Sequence, residues 1–96
     1  MTRREILEKA TQCVCGERDT DYGAPENSFS LIAHLWNSYL SGSFNGRSVH
    51  LITEKDVGVM MALLKIARIA KSDNIDSFVD LAGYAACAGE IVSQEE

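Results

Sequence analysis

Apolar residues recur along this chain every three or four positions, in four blocks set apart by capping and turn residues. That period belongs to amphipathic helices. The first block follows Thr2-Arg3-Arg4-Glu5, which has the form of a capping box: threonine and glutamate each satisfy a free amide of the other. Ile6, Ala10, Cys13 and Val14 make its stripe, and Gly16 is its stop signal. Pro25 suits the first turn of a second helix, whose stripe is Phe29, Ile32, Ala33, Trp36, Tyr39 and Leu40, ending at Ser41-Gly42. Between these two helices, residues 18–25 read as a loop in which Gly23 can take positive φ.

Ser43 to Ile52 is punctuated by Gly, Ser and Asn and predicts no regular element. A second capping pattern, Thr53-Glu54-Lys55-Asp56, opens a third helix with Val57, Met60, Met61, Leu64 and Ala67 on its apolar side. Acidic residues at its start and Lys65, Arg68 and Lys71 towards its end both suit the helix dipole. Ser72-Asp73-Asn74 is a short turn, and Asp73 or Asn74 caps a fourth helix through Ile75, Phe78, Val79, Ala82, Ala86 and Ile91 to about Ser93. So short a link predicts an antiparallel hairpin of helices three and four. The expected fold is all-α: a compact bundle of about four helices, in one domain over residues 1–96.

Composition refines this picture. At 96 residues a monomer buries a modest share of its surface, so a homo-oligomer is expected. Ala82, Gly83, Ala86 and Gly89 offer small side chains for close helix approach, within the fold or between copies. A net charge of −5, with no basic face or stripe, argues against binding to DNA or RNA backbones. The N-terminus lacks the apolar core of a signal peptide, and no apolar run approaches membrane-spanning length; the expected place is the cytoplasm, with no membrane partner. Cys13, Cys15 and Cys87 lack zinc-ligand spacing and read as free, buried or half-buried thiols.

The candidate chemistry lies across the predicted hairpin. Lys65 and Arg68 share one side of helix three; Asp73, Asp76, Asp80 and Tyr84 share one side of helix four. Antiparallel packing would bring Arg68 to Asp76 and Lys65 to Asp80. These groups make either a ladder of ion pairs or a polar cleft whose cations hold phosphate oxygens, arginine by its planar fork and lysine as a point charge. Arg18, Asp21 and Tyr22, just ahead of the second helix, could add an arginine, a hydroxyl acceptor and a ring for a nucleobase, or be ordinary loop residues. Trp36 reads as core or interface, and His34 and His50 have no spaced partners for a metal.

The ordered set Arg18…Asp21-Tyr22-Gly23, Phe29, Ile32…Trp36, Asp56-Val57…Met60, Lys65-Ile66-Ala67-Arg68, Asp73-Asn74…Asp80 and Ala82-Gly83-Tyr84-Ala85 resembles a small helical family of unassigned function. That family is found mainly in phages and prophages, and the likeness spans roughly residues 18–88. It is in turn distantly similar to all-α nucleotide pyrophosphohydrolases of the MazG type. Those enzymes hold magnesium against a nucleoside triphosphate with acidic residues on two helices. Their Glu-Glu-x-x-Glu run has no counterpart in the central helices of this sequence; only Asp73, Asp76 and Asp80 map loosely onto the later part of the pattern.

Three readings follow. In the first, an oligomer captures a phosphate-bearing nucleotide, such as a cyclic or modified signalling nucleotide in phage–host conflict, without cofactor or cleavage. Arg18, Lys65 and Arg68 would hold phosphate, Tyr22 or Tyr84 would stack on the base, and Asp21, Asp76 or Asp80 would face the remaining polar groups. In the second, a magnesium-dependent nucleoside triphosphate pyrophosphohydrolase carries its metal on Asp73, Asp76 and Asp80 with Glu54 or Asp56. The third is a structural or protein-interaction module in which acids neutralise Lys65 and Arg68 completely.

Overall fold

The computed structural model describes residues 1–17, 25–43 and 51–94, and among them every regular element is helical. Helix α1 spans Arg3–Gln12 and runs into a π-helical turn at Cys13–Glu17; α2 spans Pro25–Ser43, α3 Glu54–Lys71 and α4 Ile75–Gln94. The capping residues do what their chemistry requires. Thr2 Oγ1 accepts from the Glu5 amide at 3.1 Å, and Glu5 Oε1 accepts from the Thr2 amide at 3.3 Å. Thr53 and Asp56 repeat the exchange at the start of α3, at 3.2 and 3.0 Å. Of the two candidates at the start of α4 it is Asn74 that caps, its Oδ1 accepting from the Asp76 amide at 2.7 Å.

α3 and α4 form the expected antiparallel hairpin and share the largest contact in the molecule. They approach closely at Gly58: a Cβ there would stand 2.9 Å from the Ala88 Cβ and 3.2 Å from Phe29 Cε2. Around that crossing lie the buried residues Phe29, Ala33, Val57, Cys87 and Ile91, flanked by Trp36, Met61 and Tyr84. α2 lies mainly on α3, while α1 and the π-helical turn lie on α4. Gly83 makes room for the turn, since a Cβ would come to 3.0 Å from Val14 Cγ1. Of the small residues in α4, Gly83 thus serves packing inside the chain, whereas Ala86 and Gly89 face outward.

One tie depends on no helix propensity. The Asn37 side chain donates from Nδ2 to the Ile52 carbonyl at 3.0 Å and accepts on Oδ1 from the Ile52 amide at 2.8 Å. Half-buried, this pair of bonds fixes the backbone just ahead of α3 onto α2.

The structure revises several apolar assignments. Met60, Leu64 and Ala67 point outward, because the inward line of α3 runs Val57, Met61, Lys65, Ile69 in steps of four. Tyr39 on α2 is 73% exposed, and Ile75 and Phe78 on α4 are exposed as well. Helix α1 does not simply stop at Gly16: the backbone passes first through the π-helical turn, and leaves helical angles at Gly16. Cys13 and Cys15 are exposed and only Cys87 is buried, with no disulfide among the three. No helix among the described residues is long and apolar enough to cross a membrane.

Three outcomes follow from this packing. Gly58→Ala adds a methyl group where none fits, and overpacking of about 1–3 kcal/mol should outweigh the roughly 1 kcal/mol gain in helix propensity. Gly89→Ala, with nothing within 4 Å of the new Cβ, should instead stabilise; urea unfolding of the two variants checks the contrast. Asn37→Ala strands both polar groups of Ile52 and should cost about 2 kcal/mol in the same assay. Hydrogen bonds from the Thr2 amide and then its hydroxyl hold the Glu5 carboxyl below the ordinary glutamate value. Folding therefore favours the ionised form: its contribution is complete above the unfolded value near 4.3 and is lost as pH falls through the lower folded value. Thr2→Val removes the hydroxyl but keeps the amide, so the Glu5 midpoint, followed by carboxyl NMR, should move part of the way back up.

Candidate functional site

The register set at Gly58 and Ala88 carries along the hairpin. Seven residues further on α3, Lys65 stands across from Asp80, eight residues back on α4, and Lys65 Nζ lies 3.1 Å from Asp80 Oδ2. The lysine side chain is only 13% exposed, the aspartate 40%. This is the predicted pair, in the predicted geometry. Shielded on the lysine side, it fixes the ammonium more firmly than a freely exposed pair would. The remaining protons of a lysine ammonium stay available to a further acceptor.

The second rung of the expected ladder is not formed. Asp76 pairs with Lys9 of α1 instead, at 3.5 Å, and both side chains are well exposed. The next inward position after Lys65 is Ile69, one full step of four, whereas Arg68 falls about 60° to the side of that line. Arg68 is exposed and has no ion-pair partner among the described residues. The hairpin therefore presents one cation held by a carboxylate and a second, one turn along, facing solvent.

Tyr84 lies one turn beyond Asp80 on α4, half-buried, with its ring stacked on Phe29 at 6.3 Å between centroids and 28° between planes. One face of the tyrosine is thus committed to the core. Phe29 itself is buried in the second turn of α2. Tyr84 accordingly sits beside the second turn of α2. Arg18, Asp21 and Tyr22 lie outside the described residues, as does His50.

The alternative magnesium ligands are not gathered. Glu54 opens α3 and Asp73 follows its end, roughly 27 Å away along the axis. Asp76 and Asp80 are engaged with different lysines. Among the described residues no three His, Cys, Asp or Glu side chains converge to hold a metal ion. Sequence reasoning had no signal for two further polar contacts, Lys9 with Asp76 and Asn37 with Ile52, because each joins elements whose relative placement no local pattern specifies.

A family profile described as "Domain of unknown function (DUF6378)" matches residues 5–92. Among curated relatives, the Gene 55 protein of Mycobacterium phage D29 is 39% identical over 90 residues, which are 93% of this chain and 54% of the phage protein. The Gene 55 protein of Mycobacterium phage L5 is 41% identical over 81 residues, 83% of this chain and 47% of the relative. The chain thus spans about half the length of the curated relatives it matches. No solved structure matches it.

Proposed function

This chain belongs to the DUF6378 family, and from that premise we propose that it binds a phosphate-bearing nucleotide on the α3–α4 hairpin. The observation that carries the reading is the pairing of a shielded, carboxylate-held Lys65 with an exposed Arg68 one turn away that has no ion-pair partner among the described residues. Arg68 supplies the planar fork for phosphate oxygens and Lys65 a fixed point charge behind it. Asp80 orients the lysine and has oxygen capacity left for a ribose hydroxyl. Tyr84, one turn on from Asp80, is the aromatic candidate for the base, and Arg18, Asp21 and Tyr22 are the further candidates that the sequence offers.

Capture without cleavage is the form of this reading that the carboxylates favour. A MazG-like hydrolysis would need Asp73, Asp76, Asp80 and Glu54 brought together around magnesium, and they stand apart on the hairpin. The phage origin of the relatives fits removal of a host signalling nucleotide, cyclic or modified, as the purpose of such capture.

To check this, the purified protein is incubated with linear nucleoside triphosphates and cyclic nucleotides, with and without magnesium, then denatured to release what it holds. Unchanged nucleotide should be recovered. Arg68→Glu and Lys65→Met should each weaken retention at least tenfold while unfolding free energy moves by about 1 kcal/mol or less. No retention across the whole panel would overturn the proposal, and release of monophosphate and pyrophosphate would replace capture with hydrolysis.

A further inference from the structure

Phosphate groups differ in charge as much as in shape, and the charge that the turn end of the hairpin can offset is small. Lys65, Arg68 and Lys71 lie on the last two turns of α3, Asp73 lies in the link, and Asp76 and Asp80 lie on the first two turns of α4. Lys9 joins them from α1 through its pair with Asp76. Four cations thus stand against three carboxylates, an excess of one. Two of the cations are engaged, Lys65 by Asp80 at 3.1 Å and Lys9 by Asp76 at 3.5 Å. Arg68 and Lys71 occupy the last turn of α3, where the helix end itself contributes about half a unit of negative charge.

We propose that this balance selects the class of phosphate: the hairpin takes a nucleotide whose phosphate is a diester with a single charge, and discriminates against terminal phosphates and polyphosphates. The inference rests on the nucleotide reading above and narrows its ligand. Arg68 is exposed and has no ion-pair partner among the described residues. A phosphodiester presents two non-bridging oxygens that share one negative charge. The parallel N–H bonds of a guanidinium fork match that pair of oxygens. One positive charge then meets one negative, and the local sum closes near zero.

Larger charges meet no such balance. A terminal phosphate carries about 1.5–2 negative charges near pH 7, and a triphosphate adds one more on each inner phosphate. Among the described residues no three acidic, His or Cys side chains gather to hold a metal that would offset the surplus. Asp80 stands immediately behind Lys65 and repels each added charge. The chain as a whole, at −5, opposes a polyanion over the roughly 10 Å that its field reaches at 0.1 M salt.

The test is equilibrium dialysis of the full chain at low salt against adenine and guanine nucleotides. Each base is offered as a 3′,5′-cyclic monophosphate, a linear dinucleoside monophosphate, a 5′-monophosphate and a 5′-triphosphate. The better of the two diesters of a base should bind at least tenfold more tightly than its triphosphate, with the 5′-monophosphate between them. Added salt should narrow the gap. Asp73→Lys moves the local excess from one to three at an exposed position. It should strengthen triphosphate binding at least tenfold while the diesters gain less. A triphosphate that binds as tightly as the diesters of its base, or an Asp73→Lys chain with unchanged preference, would overturn charge selection and leave nucleotide binding in place. Retention of no nucleotide at all would overturn both proposals.

Discussion

The close approach of α3 to α4 at Gly58 is the constraint on which the rest of the structure depends. With no side chain at Gly58 and only a methyl at Ala88, the two backbones meet more tightly than larger residues permit. That contact sets the register of the hairpin, and the register decides which polar groups meet. Lys65 reaches Asp80 because both stand a fixed number of residues from the crossing; Arg68 misses Asp76 for the same reason. Phe29, whose ring edge lies against the missing Cβ, couples the crossing to α2 and through its stacking to Tyr84. A packing decision between two small residues thus fixes the electrostatics some 10 Å away.

The same geometry divides α3 into two unlike faces. Its inward line places Val57, fully buried, and Met61 in the core, and runs on through Lys65, paired with Asp80, to Ile69. Its outward line is almost as apolar and is exposed at Val59, Leu63, Ile66 and Ala70. Among the described elements, α3 packs against α2 and α4.

Much of the fold was legible in the sequence because capping is local. Thr2 with Glu5, Thr53 with Asp56, and Asn74 act over three residues or fewer, and each starts a helix where its side chain says it should. The Lys65–Asp80 pair was legible too, since a three-residue link leaves the hairpin little freedom. What was not legible needed distance information. Period alone gave α3 two candidate apolar faces and could not say which one meets α4, so Met60, Leu64 and Ala67 were placed inside together with Met61, and Ile69 was missed. Nothing near Asn37 in sequence announces that it holds Ile52, fifteen residues on. Arg18, Asp21 and Tyr22 fall outside the described residues, which leaves that part of the candidate site resting on sequence alone.

The Asn37 amide carries one more implication. It grips the amide and carbonyl of position 52 and ignores the side chain there, behaving as a borrowed peptide unit. The course of the chain into α3 is therefore dictated from α2, and not by the length or composition of whatever links residue 43 to residue 51.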